Sequence, residues 1–341
     1  MTARRAYHRV RVKAVIDETP EACSLVLSVP PESADAFTYR PGQFLTVRVP
    51  HEIGDCVARC YSLSSAPQTD DELKITVKRM ADGYASNWIC DHVTAGTVLD
   101  VLPPAGTFTP ASLDQDLLLF AGGSGITPVM SILKAALATG TGRVVLVYAN
   151  RDERCVIFDG ELRRLAARHP DRLTVAHWLD SAQGPPTATA LGALIAPFTG
   201  FEAFVCGPDP YMTVVEQTLA GLGVPRQRIH VERFVSLSDN PFESPEEPGP
   251  ATTTVEVTLD GQTHRFPWPA RTRLLDLLID RGLNPPFSCR QGNCGACACR
   301  ITDGEVKLLN NEILEEEDFA EGYILACQAI PLTDRVSVTY S

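Results

Sequence analysis

The sequence predicts a three-part chain of mixed class: an antiparallel β-barrel over residues 1–112, a doubly wound α/β domain over 113–235, and a smaller β-rich domain over 253–341. Three observations carry this. Short alternating strands crowd the first third, a β/α rhythm with continuous apolar strands follows, and a proline-rich acidic stretch then precedes a hairpin and a dense cysteine cluster. A chain of 341 residues also exceeds what one hydrophobic core organises, so several cores are expected.

In the first part, HRVRVKAV, SLVLSV, QFLTVRVP, LKITVKR and TVLDVL read as short alternating strands parted by Pro, Gly and Asp turns. Closely spaced strands of this kind suit an antiparallel barrel. From Asp114 the rhythm changes. DLLLFA is a continuous apolar run suited to a buried parallel strand. It passes through Ala121-Gly122-Gly123-Ser124-Gly125-Ile126-Thr127-Pro128 into PVMSILKAALATG, whose Val129, Ile132, Leu133, Ala136 and Leu137 fall on one helical face. Pro128 is expected at the first helical position. RVVLVYAN, LTVAHWL and AFVCG are further buried strands, with DGELRRLAARHP and YMTVVEQTLAGLG as helices between them.

Residues 236–252, centred on SLSDNPFESPEEPGP, hold too little apolar surface to fold and read as a linker. Beyond them TTVEVTLDGQTHRFPW is a hairpin turning at Asp260-Gly261, and Thr272 is placed to cap a short helix LLDLLIDR that stops at Gly282.

Charge narrows the partners. The net charge of −12 argues against a nucleic-acid backbone and supplies no basic patch for anionic lipid. Acidic residues outnumber basic ones by 25 to 22 over residues 1–235 but by 13 to 8 over 253–341, so the excess lies late in the chain. No apolar run approaches the roughly 20 residues that span a bilayer, and no signal peptide is evident, so a soluble, cytoplasmic monomer is expected. None of the seven histidines has metal-ligand spacing.

Cysteine chemistry concentrates in CRQGNCGACACR, where Cys289, Cys294, Cys297 and Cys299 crowd one loop. Structural zinc sites draw two ligand pairs from two different turns, which one crowded loop fits poorly. Downstream, Cys327 completes Cys289-x4-Cys294-x2-Cys297-x29-Cys327, the spacing of a plant-type [2Fe–2S] cluster, with Cys299 as a bystander. Gly292 and Gly295 let the backbone pass close to the inorganic sulfides. Residues 253–341 resemble a plant-type ferredoxin domain throughout, which implies a β-grasp fold. Cys23, Cys56, Cys60, Cys90, Cys155 and Cys206 are scattered singly, and most read as small buried residues.

An iron–sulfur cluster needs a source of single electrons. In the barrel, Arg59-Cys60-Tyr61-Ser62 carries the Arg-x-Tyr-Ser pattern of the ferredoxin–NADP reductase superfamily. The resemblance implies that Arg59 pairs with flavin phosphate while Tyr61 and Ser62 contact the isoalloxazine. Arg does offer a planar fork to phosphate, and Tyr a flat amphipathic face. Cys60 belongs to the motif without a role of its own. Val77, Lys78 and Arg79 resemble the family's next strand, and Gly83-Tyr84-Ala85-Ser86 its pyrophosphate-binding helix start, which points to FAD.

Gly122, Gly123 and Gly125 with Thr127 and Pro128, followed by Cys206-Gly207-Pro208, match that superfamily's nicotinamide domain; Asn150, Arg151 and Asp180 complete the nucleotide set. By resemblance, Cys206 lies beside the nicotinamide and Phe234 covers a flavin face, and Glu232 joins them as a candidate catalytic residue. Members preferring NADPH place Ser-Arg where this chain has Leu179-Asp180, so NADH is the expected donor.

The order of parts makes a complete wire: NADH to FAD to [2Fe–2S] to an external protein. ARCYSLSSAP, VKRMADGYASNW, GGSGITPVMSILK and CRQGNCGACACRI resemble most the reductase components of 3-ketosteroid 9α-hydroxylase, Rieske-type oxygenases of steroid degradation. Similar reductases serve phenylacetyl-CoA epoxidases and aromatic-ring oxygenases. The terminal oxygenase is thus implied by resemblance alone, and a redox-sensing module that turns nothing over stays open as an alternative of another class.

Overall fold

A computed structural model describes residues 7–51, 56–81, 83–234, 242 and 251–340. The first part contains β1 (His8–Thr19), β2 (Ala22–Ser28), β3 (Phe44–Pro50), β4 (Cys56–Ser62), β5 (Leu73–Lys78), α1 (Tyr84–His92) and β6 (Val98–Val101). Its six strands run β4-β3-β6-β1-β2-β5, with every pair antiparallel. Leu63, just past β4, bridges to Ile75 of β5, so the two edges meet and the sheet curls into a barrel. Val10, Leu25, Leu45, Val47, Ile75 and Ile89 fill the inside and are fully buried. Five strands are legible as alternating runs. The sixth, β4, is only patchily buried along CVARCYS and reads weakly by periodicity alone.

The second part contains β7 (Leu117–Gly122), α2 (Ile126–Thr139), β8 (Val144–Asn150), α3 (Asp159–Arg168), β9 (Leu173–Leu179), α4 (Asp180–Gln183), α5 (Ala188–Ile195), β10 (Glu202–Cys206), α6 (Asp209–Gly221) and β11 (Ile229–Glu232). The sheet is parallel, in the order β11-β10-β7-β8-β9. The winding reverses between β7 and β10, and open α/β sheets bind ligands at the carboxyl ends of strands flanking such a reversal. The helix after β7 opens at Ile126, behind a 3-10 turn over Gly123–Gly125, so Pro128 is its third residue and not its first. The missing N–H still costs nothing there, because the first four helical N–H groups have no intrahelical acceptor.

The third part contains β12 (Ala251–Leu259), β13 (Gln262–Pro269), α7 (Leu274–Asp280), β14 (Ala298–Asp303), β15 (Val306–Leu308), α8 (Glu316–Ala320), β16 (Tyr323–Leu325), β17 (Ala329–Pro331) and β18 (Arg335–Thr339). Its mixed sheet runs β13-β12-β18-β14-β16, with β12 and β18 parallel and α7 packed on the core. The hairpin turns at Asp260 (φ 52°) and Gly261 (φ 73°), the left-handed pair that matches strand twist. Thr272 does not cap α7. Arg273 precedes the helix without a side-chain cap, and the Thr272 carbonyl accepts the indole N–H of fully buried Trp268 at 2.7 Å. Most of the 236–252 segment lies outside the described residues, and β12 already begins at Ala251.

One buried cation ties the first two parts together. Lys134 of α2 is 5% exposed, and its Nζ lies 2.8 Å from Asp70 Oδ2 of the barrel and 3.5 Å from Glu161 Oε1 of α3, without a well-aligned hydrogen bond to either. Burial raises the Asp70 carboxyl, but Lys134, the Ala66 N–H and the Thr69 hydroxyl together hold it below its ordinary range. Replacing Lys134 by Met is expected to cost about 2 kcal/mol of unfolding free energy by removing the cation from Asp70, while Glu161 keeps Lys74 at 3.5 Å. A depressed carboxylate stabilises fully above its unfolded pKa and loses that contribution as pH falls through the folded value. Lys134→Met should therefore also flatten the acid limb of stability. Denaturant titration across the acid range checks both, and an unshifted midpoint would make Lys134 dispensable.

Candidate functional site

Strand alternation sorts the Arg59–Ser62 motif onto two faces. Opposite β4 across the ladder, Leu45 pairs with Tyr61 and Val47 with Arg59, whereas Thr46 pairs with Cys60. Directly opposed residues share a face, so Arg59 and Tyr61 stand with the barrel-side residues while Cys60 and Thr46 turn the other way. Tyr61 is half-buried against the barrel cluster, near Trp88 and Cys90, and burial pushes its phenol up. Arg59 spans 2.7 Å from Nη1 to the Ala58 carbonyl.

On β5 the expected residues divide by function. The Val77 side chain lies wholly in the barrel core, leaving only its backbone to a ligand. Lys78 extends toward the glycine turn, its Nζ 3.5 Å from where a Cβ on Gly123 would stand. Arg79, by contrast, is 2.6 Å from Asp91 of α1. That helix opens after Gly83 with no side-chain cap, so the first-turn N–H groups of Tyr84, Ala85 and Ser86 face outward unclaimed by a capping residue. Ser86 Oγ bonds instead to the Met80 N–H at 3.1 Å and the Gly83 carbonyl at 3.2 Å, and Tyr84 Oη donates to the Pro50 carbonyl at 2.9 Å. An uncapped helix start of this kind offers free N–H groups suited to pyrophosphate.

At the switch point two turns pack back to back. A Cβ on Gly125 would stand 2.2 Å from the Cys206 carbonyl oxygen, and one on Gly207 2.9 Å from the Gly122 Cα, so only glycine permits the approach. Tyr148 Oη donates to the Gly123 carbonyl at 3.1 Å, and Thr127 Oγ1 to the Ser124 carbonyl at 3.0 Å, which hold the turn open. Asn150, at the end of β8, is 5% exposed and adjoins the Tyr148 hydroxyl, without a well-aligned hydrogen bond at its amide nitrogen or oxygen. A buried amide left in that state is costly, and suits a polar ligand. Arg151 is drawn to Glu21 of the barrel, Arg154 lies 3.7 Å from Asp152, and Asp180 stands exposed at the start of α4.

Cys206 is fully buried and adjoins Glu232 in register across β10 and β11. Burial and the nearby Glu232 push the Cys206 thiol well above its ordinary value, and burial raises the Glu232 carboxyl to about 7. Pro208 precedes α6, and Phe234, two residues past β11, is exposed.

The cysteines of the third part form a row. Cys289 meets Cys294 on one side and Cys327 on the other, and Cys327 in turn meets Cys297. All four are buried, with Cys327 in the turn after β16 and not on the strand. The Gln291 N–H reaches Cys289 Sγ at 3.3 Å, the Cys327 N–H reaches Cys297 Sγ at 3.4 Å, and Gln328 Nε2 reaches Cys327 Sγ at 3.6 Å. Those neighbouring thiols, Cys294 foremost, hold the Cys289 thiol far below its ordinary value. Among the described residues no three His, Cys, Asp or Glu side chains close around a single ion. A row of four sulfurs ringed by amide N–H groups fits a spread two-iron cluster better than one zinc. Cys299 stays out of the row, facing the buried Tyr340 hydroxyl. Two of the scattered cysteines prove to be neighbours: Cys23 and Cys90 Sγ atoms stand 3.5 Å apart, a proximity that no sequence spacing signals.

Among the described residues no helix is long and apolar enough to cross a membrane. Three domain families match in turn: the oxidoreductase FAD-binding domain over residues 10–109, the oxidoreductase NAD-binding domain over 119–217, and the 2Fe-2S iron-sulfur cluster binding domain over 257–332. The chain therefore carries binding domains for FAD, NAD and a [2Fe–2S] cluster. The ferredoxin reductase component of 3-ketosteroid-9-alpha-monooxygenase from Rhodococcus rhodochrous is 53% identical over 335 residues, covering 96% of this chain and 95% of its own. That from Mycolicibacterium smegmatis is 56% identical over 341 residues, covering 97% and 96%. The glycine betaine monooxygenase reductase subunit from Pseudomonas aeruginosa is 34% identical over 352 residues, covering 96% of this chain and 94% of its own. In fold, the chain resembles phthalate dioxygenase reductase at a TM-score of 0.59 and 23% identity, over 98% of both chains. It belongs to the family of FAD- and NAD-binding oxidoreductases with a 2Fe-2S domain that includes the ferredoxin reductase components of 3-ketosteroid 9α-monooxygenases.

Proposed function

We propose that this chain takes hydride from NADH and delivers electrons singly to a Rieske-type oxygenase acting on 3-ketosteroids. What carries the reading is the presence of FAD-binding, NAD-binding and 2Fe-2S domains in one chain with 53–56% identity to such reductase components along nearly its whole length. When bound, FAD would accept the hydride and the [2Fe–2S] cluster would carry one electron at a time. The side chains supply the rest. Arg59, Lys78 and the first turn of α1 would bind flavin phosphates, Tyr61 would flank the ring and Ser62 would sit at its edge. Gly122–Gly125 would admit the nucleotide pyrophosphate, and the Asn150 amide would gain a well-aligned partner. Cys206, Gly207 and Pro208 would bound the nicotinamide. Glu232, near 7, can hold or release a proton beside it. Phe234, exposed, is free to shield the ring until the nicotinamide displaces it. Cys289, Cys294, Cys297 and Cys327 would hold the cluster. All these sites lie on one chain, so a monomer suffices for the internal steps.

Cluster ligation gives the first test. Cys327→Ala should abolish the visible absorbance of the cluster while leaving NADH-driven ferricyanide reduction, whereas Cys299→Ala should keep the cluster. The reverse pattern would overturn the ligand assignment.

Nucleotide choice gives the second. Asp180 presents a carboxylate to the expected 2′-phosphate position, and Arg151 and Arg154 are already engaged with Glu21 and Asp152. Wild type should favour NADH in kcat/KM, and Asp180→Arg should gain with NADPH. Equal wild-type values for the two nucleotides would contradict the preference.

The acceptor gives the third. Glu315 lies 3.8 Å from Arg226 of the nucleotide domain and caps α8 together with Asp318, which leaves Glu312, Glu316 and Glu317 as the outward charges. A basic face on the oxygenase is expected to meet them, because electrostatic attraction speeds brief, oriented encounters. In a reconstituted 3-ketosteroid hydroxylation assay, Glu316→Gln/Glu317→Gln should raise the apparent KM for the oxygenase, and salt should do likewise in wild type. Salt-independent coupling with unaltered kinetics in the variant would assign the segment to solvation alone.

A further inference from the structure

The face of β4 turned away from Arg59 and Tyr61 meets the cysteine loop. Thr46 Oγ1 stands 2.6 Å from Ser288 Oγ, and both residues are buried. Cys60 Sγ lies 3.5 Å from the same Thr46 hydroxyl. Cys60 also packs in a small cluster with Phe44 and Ala105 of the barrel and Cys289 and Cys294 of the loop. The contact continues at Thr107, whose Cγ2 would stand 3.0 Å from a Cβ on Gly295. Tyr61 and Cys60 share a peptide bond, and Ser288 and Cys289 share another. Two residues of one strand thus back onto the flavin site and onto a cluster ligand.

We propose that this outward face, where Cys60 and Thr46 meet Ser288 and Cys289, is the crossing point for electrons between the flavin site and the cysteine row, held in register by the Thr46–Ser288 hydrogen bond. The inference rests on the functional reading above and adds to it the route. Tunnelling weakens steeply across empty gaps and slowly along bonds, and here one packed contact separates two covalent stretches. The two hydroxyls give the contact its precision: separating the surfaces without readmitting water would take the 2.6 Å partner from the buried Ser288 hydroxyl and leave Thr46 only the weak contact to Cys60 Sγ. Two electrons per NADH cross one at a time; the flavin side is oxidised, the cluster side is reduced, and the proton left from the hydride is released on the flavin side. No bond to Cys60 forms or breaks. Its side chain acts as a packed bridge between barrel and loop, not as a redox centre.

Thr46→Leu overfills the contact, and Thr46→Val removes the hydroxyl at nearly constant volume. In anaerobic stopped flow of the whole protein with NADH, flavin bleaching should keep its wild-type rate in both variants. Cluster bleaching should slow by about tenfold in Thr46→Leu, since small misplacements of reacting groups carry rate penalties of that order or more, and by less in Thr46→Val. The electron paramagnetic resonance spectrum of the reduced cluster should not change, which separates displacement from ligand damage. A readout without turnover accompanies it: Thr46→Cys/Ser288→Cys, oxidised with diamide, should give a peptide cross-linked between positions 46 and 288. A wild-type cluster rate in Thr46→Leu, or no such cross-link, overturns the assignment. Failure of the functional reading has a different signature, namely wild-type flavin that NADH does not bleach while the cross-link still forms.

Discussion

The organisation of this protein depends on the alternation of side chains along one strand. In β4, successive residues point to opposite faces, so Arg59 and Tyr61 share the face of Leu45 and Val47 while Cys60 looks toward the cysteine loop. A helix could not divide its residues in this way within so short a span, because its neighbours on one face are three and four apart. A one-residue slip against β3 would exchange the two faces and place Tyr61 against the cluster loop. The register is secured by the inward Leu45, Val47 and Val49, which would have to leave the barrel core for a slip to occur.

The nucleotide side rests on a different constraint, close packing of backbone on backbone. Two strand ends at the switch point carry turns that touch, and the glycines there are explained by that contact before any ligand is considered. The site then carries the local costs of readiness: an Asn150 amide without a well-aligned partner, a Glu232 carboxyl raised by burial, and a Cys206 thiol kept neutral. The Asn150 amide opposes folding slightly and would be relieved by a polar ligand, and raised acids of this kind gather at functional sites. The fully buried β7, β8 and β10, with α2 packed against them, supply the stability that tolerates this.

Charge joins the parts of the chain in two different settings. Lys134 joins barrel and nucleotide domain through Asp70 and Glu161 in a buried setting, where pairing matters energetically. Arg226 and Glu315 join the nucleotide and ferredoxin domains across 3.8 Å, both well exposed, where an ion pair contributes little to stability. The acidic segment before Cys327 is therefore partly structural, through the cap that Glu315 and Asp318 make, and partly a charged surface.

Much of the architecture was legible in the chain itself, because period-two runs, continuous apolar strands and the spacing of Cys289, Cys294, Cys297 and Cys327 are local statements about backbone and sulfur. The helix start at Gly83, the hairpin at Asp260-Gly261 and the stop at Gly282 follow likewise from short-range sterics. Local pattern failed where the neighbouring backbone took another course than the motif suggests. Thr272 reads as a cap, yet its carbonyl serves Trp268; Pro128 reads as the first helical residue, yet Gly123–Gly125 turns ahead of it. Cys60 occupies the unassigned position of its motif, and Thr46 and Ser288 carry no motif at all; folding brings the latter two together from positions 242 residues apart. Composition, spacing and period determine which elements form and which chemistry the chain holds. Which faces of those elements meet is set by packing across long loops, a property of the folded whole that no window of sequence contains.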